Sequence, residues 1–100
     1  MTIAYITCKD KKEAEKISRH LLKKRIIACS NILPANSLYW WNSKFVNEKE
    51  CIIIAKTNNN NFGKVVAEVK KIHSYQIPCI LKIGAVANKE YEKWANKEMS

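Results

Sequence analysis

The residues able to do chemistry are few. Four cysteines (Cys8, Cys29, Cys51 and Cys79) and two histidines (His20 and His73) are the soft or borderline donors of the chain. Thiolate suits Cu(I) and Zn, and imidazole suits Zn and Cu. Successive cysteines stand 21, 22 and 28 positions apart, so no pair has the short spacing of a zinc knuckle or a dithiol redox motif. Small buried thiols in a reduced protein are therefore expected. His20 falls beside an apolar stripe and reads as a solvated histidine. His73 ends a stripe and precedes Ser74-Tyr75, where an imidazole favours a helix dipole and could also serve a site. Cys29 and His73 would make a nucleophile and base only if the fold joined them. None of the serines has the glycine-flanked setting of a nucleophile elbow. No catalytic arrangement is legible, and a protein that is not an enzyme is expected.

These residues must be positioned by secondary structure. Residues 2–8 (TIAYITC) mix β-branched and aromatic types and read as a strand. Asp10, three residues before Glu13, is a helix-start pair. Ala14, Ile17, Leu21 and Leu22 follow at helical spacing, which predicts a helix over 11–24. Ile26 to Leu33 is a nearly continuous apolar run and reads as a buried strand interrupted by Pro34. Residues 37–41 and 44–48 flank Asn42-Ser43, a plausible tight hairpin. Residues 50–57 (ECIIIAKT) form a strong strand. The four asparagines at 58–61 read as a loop that caps a helix. Phe62, Val65, Val66, Val69 and Ile72 mark that second helix. Residues 78–85 read as a strand, and Asn88 is expected to cap a short last helix with Tyr91, Trp94 and Ala95 on one face.

The order is one of two βαβ units in a single 1–100 domain. It predicts an α+β fold, a ferredoxin-like sandwich with an extended β-hairpin and a short C-terminal helix. Two helices cover one face of such a sheet. The runs at 26–33 and 51–55 are apolar at nearly every position, so the other face needs a second cover. Tyr39, Trp40 and Trp41 crowd a ribbon that cannot bury both of its own faces. Association is the expected remedy, because Trp and Tyr are frequent interface anchors. The other readings are a ribbon that folds back on its own domain, and base stacking helped by Lys44 and Lys49.

Composition removes several classes. The chain has 100 residues and a net charge of +9 from 18 Lys+Arg and 9 Asp+Glu. Such charge favours anionic partners, but arginine occurs only at Arg19 and Arg25, and base reading favours arginine over lysine. Only Gly63 and Gly84 are glycine, which excludes the phosphate-cradling loops of nucleotide-binding folds. No apolar run approaches the roughly 18 residues of a membrane span. Ile3–Thr7 is too short for a signal peptide's apolar region, so a cytoplasmic location is expected.

Five segments, in order, resemble the CutA divalent-cation-tolerance family. Residues 27–32 (IACSNI) are similar to its "AACxNI" segment, and 37–41 (SLYWW) to its "SxYxW" segment. Glu50 with Ile52 to Thr57 is similar to its "E…KT" strand. Residues 73–78 (HSYQIP) are similar to its "HPYxxP" turn, and Tyr91 to Trp94 to its "YxxW" helix. The resemblance covers residues 3–95. It implies a ferredoxin-like protomer in a cytoplasmic homotrimer, linked to tolerance of copper and other divalent cations. It also implies an inter-subunit cleft gathering Cys29, Trp41, Lys44, Glu50, Lys56, His73 and Tyr75. Departures from the pattern are Ser74 for proline, Cys79 for glutamate, Asn42-Ser43 in the hairpin, and Ile6 for a cysteine tied to metal in some members. Fewer carboxylates and an added thiol shift the expected ligand from hard cations to copper or another borderline metal, weakly bound through His73 and Cys79. The alternative is a basic ligand- or nucleic-acid-binding module on the same fold, with nucleic acid held only non-specifically.

Overall fold

A computed structural model describes residues 1–100. The elements are β1 (Thr2–Cys8), α1 (Lys11–Lys23), β2 (Cys29–Trp41), β3 (Lys44–Thr57), α2 (Phe62–Ile72), β4 (Ile80–Gly84) and α3 (Lys89–Glu98). The sheet order is β2-β3-β1-β4, and every neighbouring pair is antiparallel. Two βαβ halves meeting in this order make the ferredoxin-like arrangement. The core lies between the sheet and α1 with α2. Ala4, Ile6 and Ile53 from the strands and Ile17, Leu21 and Val69 from the helices are fully buried.

The hairpin is longer than the sequence suggests. Its arms are not a separate ribbon: they continue β2 and β3, which pair from Cys29↔Lys56 out to Trp41↔Lys44. Pro34 does not interrupt the strand. It sits opposite Cys51 on β2, which is the sheet edge, where a missing N–H costs no ladder bond if it faces outward. Asn42 and Ser43 take φ of 48° and 64°, as a two-residue hairpin turn with two left-handed positions demands. The arm stretches the molecule to 45 × 25 × 21 Å.

Other boundaries also move. Ile26 to Ala28 is buried but is a connector, entered through Arg25 at φ 60°. The Ala28 N–H donates to Lys56 O (2.8 Å), and Ile26 O accepts from the Thr57 hydroxyl (2.7 Å). Its apolar run reflects burial rather than strand pairing. Asn61 is the N-cap of α2 but makes no side-chain cap bond; its N–H donates to Asn58 Oδ1 at 2.8 Å, which closes the turn before the helix. Asn88 makes no side-chain cap; its amide donates to Glu90 instead (3.2 Å). On α3 only Ala95 is buried, and Trp94 keeps 46% of its surface exposed.

The second sheet face has no cover. Registers place Leu33, Ile52, Ile54, Leu81 and Ile83 on it, with Ile3 and Tyr5 between them. Leu33, Leu81 and Ile83 are exposed, at 45%, 49% and 42%. Leu38, Trp40 and Phe45 on the arm are more exposed still.

Candidate functional site

A cleft of about 720 Å³ opens between the hairpin arm, along much of its length, and the turn after α2. Trp41, Glu48 and Glu50 line it from the hairpin, and Tyr75, Ile77 and Cys79 from the turn. Two phenols face two carboxylates. The Tyr75 hydroxyl donates to Glu50 Oε2, and the Tyr39 hydroxyl to Glu48 Oε2 at 3.1 Å. Glu50 is buried, at 6% exposure. Burial, then the Glu50 carboxylate it binds, pushes the Tyr75 phenol far above its ordinary range. Tyr39 shifts in the same direction through desolvation and Glu48. Both phenols therefore stay protonated and act as donors at neutral pH.

The turn that forms the second wall is pinned from below. His73 ends α2 with extended backbone (φ −73°, ψ 138°). Its Nε2 lies 2.8 Å from Thr7 O, and its Nδ1 lies 3.0 Å from Tyr75 N. Thr7 O can only accept and Tyr75 N–H can only donate, so the ring is the Nε2–H tautomer. Beneath it Glu13 uses both carboxylate oxygens, Oε1 accepting from Lys9 N (3.0 Å) and Oε2 from Ser74 N (2.9 Å). Burial raises the Glu13 pKa, but the bonds from Ser74 and Lys9 outweigh it and leave the carboxyl below its ordinary value. Ser74 has an N–H here that a proline would lack, and Glu13 takes it. Cys8 completes the group. Its thiol, His73 and Glu13 have ligand atoms within 4.8 Å of one another. Burial, followed by the nearby Glu13 charge, pushes the Cys8 thiol up to about 12.

The residues expected from the sequence fall at three places within one protomer. Trp41, Glu50, Tyr75 and Cys79 line the cleft, with His73 behind the wall. Cys29 and Lys56 sit at the far end of the sheet, 3.8 Å apart. Lys44 pairs with Trp41 at the hairpin tip. Cys29 and His73 are not joined. Cys29 is level with Lys56 and Ile3, whereas His73 contacts Thr7, four residues along β1, or roughly 13 Å at strand rise. The cysteines are not uniformly buried: Cys8 and Cys51 are, Cys29 is half-buried and Cys79 is exposed. His20 is no free surface group either, since its Nε2 lies 2.8 Å from Glu68 Oε1 on α2. Sequence reasoning missed Glu13, Glu48 and Cys8. Glu13 reads as a helix-start residue, and indeed its N–H bonds Asp10 Oδ1 at 2.8 Å; nothing local signals its reach to residue 74.

The family model described as "CutA1 divalent ion tolerance protein" matches residues 2–98. The chain belongs to that family. The divalent-cation tolerance protein CutA of Archaeoglobus fulgidus is 40% identical over 94 residues, covering 93% of this chain and 92% of that one. A structure named as the periplasmic divalent cation tolerance protein CutA from Archaeoglobus fulgidus superposes with a TM-score of 0.97 at 38% identity over the whole of both chains. The crystal structure of CutA1 from Pyrococcus horikoshii gives 0.95 at 36% identity, over 98% of this chain and 97% of that one. The family likeness thus extends over the hairpin and the pinned turn as well as the core. No helix is long and apolar enough to cross a membrane.

Proposed function

We propose that this chain is a trimeric, cytoplasmic binding protein of divalent-metal tolerance or response, not an enzyme, that takes a metal ion or small ligand in inter-subunit clefts. The observation that carries the reading is the uncovered apolar sheet face beside the exposed aromatic arm. A neighbour's arm laid along that face would bury both, and a cyclic set of three repeats the contact with no open end. It would also bring one protomer's Cys29 and Lys56 toward another's Trp41 and Lys44. Light scattering tests it: three times 11.6 kDa is expected at micromolar concentration, and a species that stays at 11.6 kDa sinks the trimer. Cell fractionation checks the location, which differs from the periplasm named for the Archaeoglobus protein.

Copper or another divalent metal is the ligand this reading favours, held weakly. The Cys8–Glu13–His73 group does not fit a resident ion. Both Glu13 oxygens accept N–H bonds and both His73 nitrogens are hydrogen-bonded, which leaves Cys8 as the one free donor of the three. Exposed Cys79 is the available soft donor at the cleft. His73 joins it only by giving up its bond to Tyr75 N–H, which keeps affinity low. Calorimetry with Cu and Zn on parent, His73→Ala and Cys79→Ala decides this. Equal binding by all three removes both residues from the site.

A second reading has its own observation. Lys12, Lys16, Arg19 and Lys23 run along one face of α1 at helical spacing, and none of them is in an ion pair. This stripe supports phosphate contacts without base readout. Titration with DNA at low and moderate salt should show only weak, salt-sensitive binding. Tight, sequence-dependent binding would make the basic module the better reading.

A further inference from the structure

Two of the four cysteines are placed opposite each other. Cys8 ends β1, and its cross-strand partner on β3 is Cys51. Both are buried, at 0% and 9% exposure, and both belong to the core beneath the helices. Facing residues on adjacent antiparallel strands put their side chains on the same side of the sheet. We propose that Cys8 and Cys51 form a reversible cross-strand disulfide when the protein meets a peroxide, and that this bond alters the wall of the cleft.

The backbone geometry permits the bond and makes it labile. Thr7 N donates to Cys79 O on the β4 side, so Cys8 turns its N–H and C=O the other way, toward β3. Cys8 and Cys51 are then a hydrogen-bonded pair, with Cα atoms about 5.5 Å apart. That lies inside the roughly 4.4–6.8 Å range of disulfides. The Cβ atoms of such a pair start about 5–5.5 Å apart, and a disulfide needs about 3.8 Å. Closing the bond brings the two Cβ atoms nearer by about 1.2–1.7 Å, which tilts and twists β1 against β3 while their Cα spacing already suits the bond. A bond closed against the sheet's own spacing is strained and easily reduced, as a switch requires and a permanent staple does not.

The chemistry is balanced with one peroxide. Cys51, which keeps the residual exposure, attacks one peroxide oxygen; the O–O bond breaks, one water leaves, and Cys51 becomes a sulfenic acid. Cys8 Sγ then attacks the Cys51 sulfur. The S–O bond breaks, and the departing hydroxide takes the Cys8 proton as a second water. Two thiols are oxidised to one disulfide, and one peroxide is reduced to two waters. A thiol reductant reverses the bond by exchange.

The consequence follows from the neighbours. Thr7, just before Cys8, holds His73 through its carbonyl, and Glu50, just before Cys51, holds Tyr75. These are two anchors of the turn that walls the cleft, and each is one residue from a cysteine. Tilting β1 against β3 moves both anchors at once.

The test uses full-length protein with Cys29→Ala and Cys79→Ala, leaving only this pair. After hydrogen peroxide and alkylation, the expected mass is that of a chain that has lost two hydrogens, with the peptides carrying residues 8 and 51 joined until a reductant is added. Hydrogen exchange over 73–79 should differ severalfold between oxidised and reduced protein. In the same background Cys8→Ala should stop at a sulfenic acid on Cys51, trapped by dimedone. Two alkylated thiols after peroxide, a stable gain of oxygen, or a link between two chains would each overturn the disulfide. An intact Cys8–Cys51 bond with unchanged exchange over 73–79 would overturn its coupling to the cleft.

Discussion

The two faces of one sheet differ more than their sequences do. In β3 the residues Cys51, Ile52, Ile53, Ile54 and Ala55 alternate between buried and half-buried. Ile53 is fully enclosed beneath α1 and α2, whereas Ile52 and Ile54, the same residue type one step away, lie on the uncovered side. An apolar residue therefore does one of two jobs here. On the covered face it holds the protomer together. On the open face, continuous with the aromatic arm, it is available to hold copies together. Hydropathy cannot separate these jobs, but register can.

The largest effect should come from the covered face. Ile53→Ala removes a fully buried side chain from the centre of the sheet. Deletions of this kind cost about 2–5 kcal/mol, so denaturant unfolding of the protomer should show a loss of that size. Ile54→Ala should cost the protomer far less. Similar losses from the two would erase the distinction between the faces.

Much of this contrast was already legible. The two-unit order, the helical stripes and the need for a second cover on the sheet follow from periodicity, and periodicity reports burial. What it could not report was which polar partner closes each contact. Pro34 read as a break because a lone sequence does not say that β2 is an edge strand. Ile26 to Ala28 read as strand because a buried connector and a buried strand are equally apolar. Trp41, Glu50 and Tyr75, expected at a cleft between subunits from the family resemblance, and Cys79, expected as a metal ligand, line one cleft within the protomer. Glu13 escaped because its partner at residue 74 is 61 positions away, and Cys8 because its facing cysteine is fixed only by the β1–β3 register.

The next effect sharpens the open face. Leu81→Lys places a charge among Tyr5, Ile54 and their neighbours and, on the proposed trimer, should remove an apolar contact of about 1.5–3 kcal/mol per copy. Dissociation should be seen by light scattering while unfolding of the protomer changes little. A variant that unfolds yet stays assembled would reverse the roles of the two faces.

A smaller and more local contrast comes from two tryptophans. Trp41 and Trp94 are equally exposed, both at 46%, so exposure alone predicts equal effects. Their settings differ. Trp41 stands near the tip of the arm beside the cleft, while Trp94 lies on α3 beside Leu22 and Ala28 of its own chain. Trp41→Ala should weaken assembly at least tenfold more than Trp94→Ala, read as the concentration at which scattering mass falls by half. Equal shifts would place α3 in the interface as well.

The smallest effect belongs to the helices that form the cover, and it is electrostatic. Glu68 on α2 accepts from Lys71 Nζ and His20 Nε2, each at 2.8 Å, with Lys24 Nζ at 3.6 Å. The bonds from Lys71 and then His20, helped by the Lys24 charge and opposed by desolvation, lower the Glu68 carboxyl from 4.5 to about 2. A carboxyl depressed in the folded state adds stability that is fully present above its unfolded value and is lost as pH falls through its folded value. The window is therefore about 4.5 down to 2. Unfolding of the parent should become easier with acid across that range, and Glu68→Gln should shallow the slope there. Glu13 and Glu90 are depressed as well, so the slope should shrink without vanishing. Added salt should reduce the difference between parent and variant, because the cations involved are largely exposed and screened. The scattering mass near neutral pH should not move, since Glu68 lies on the helix side and not on the open face. A change in assembly with an unchanged acid slope would mean that the helix layer, not the sheet, carries the contact between copies.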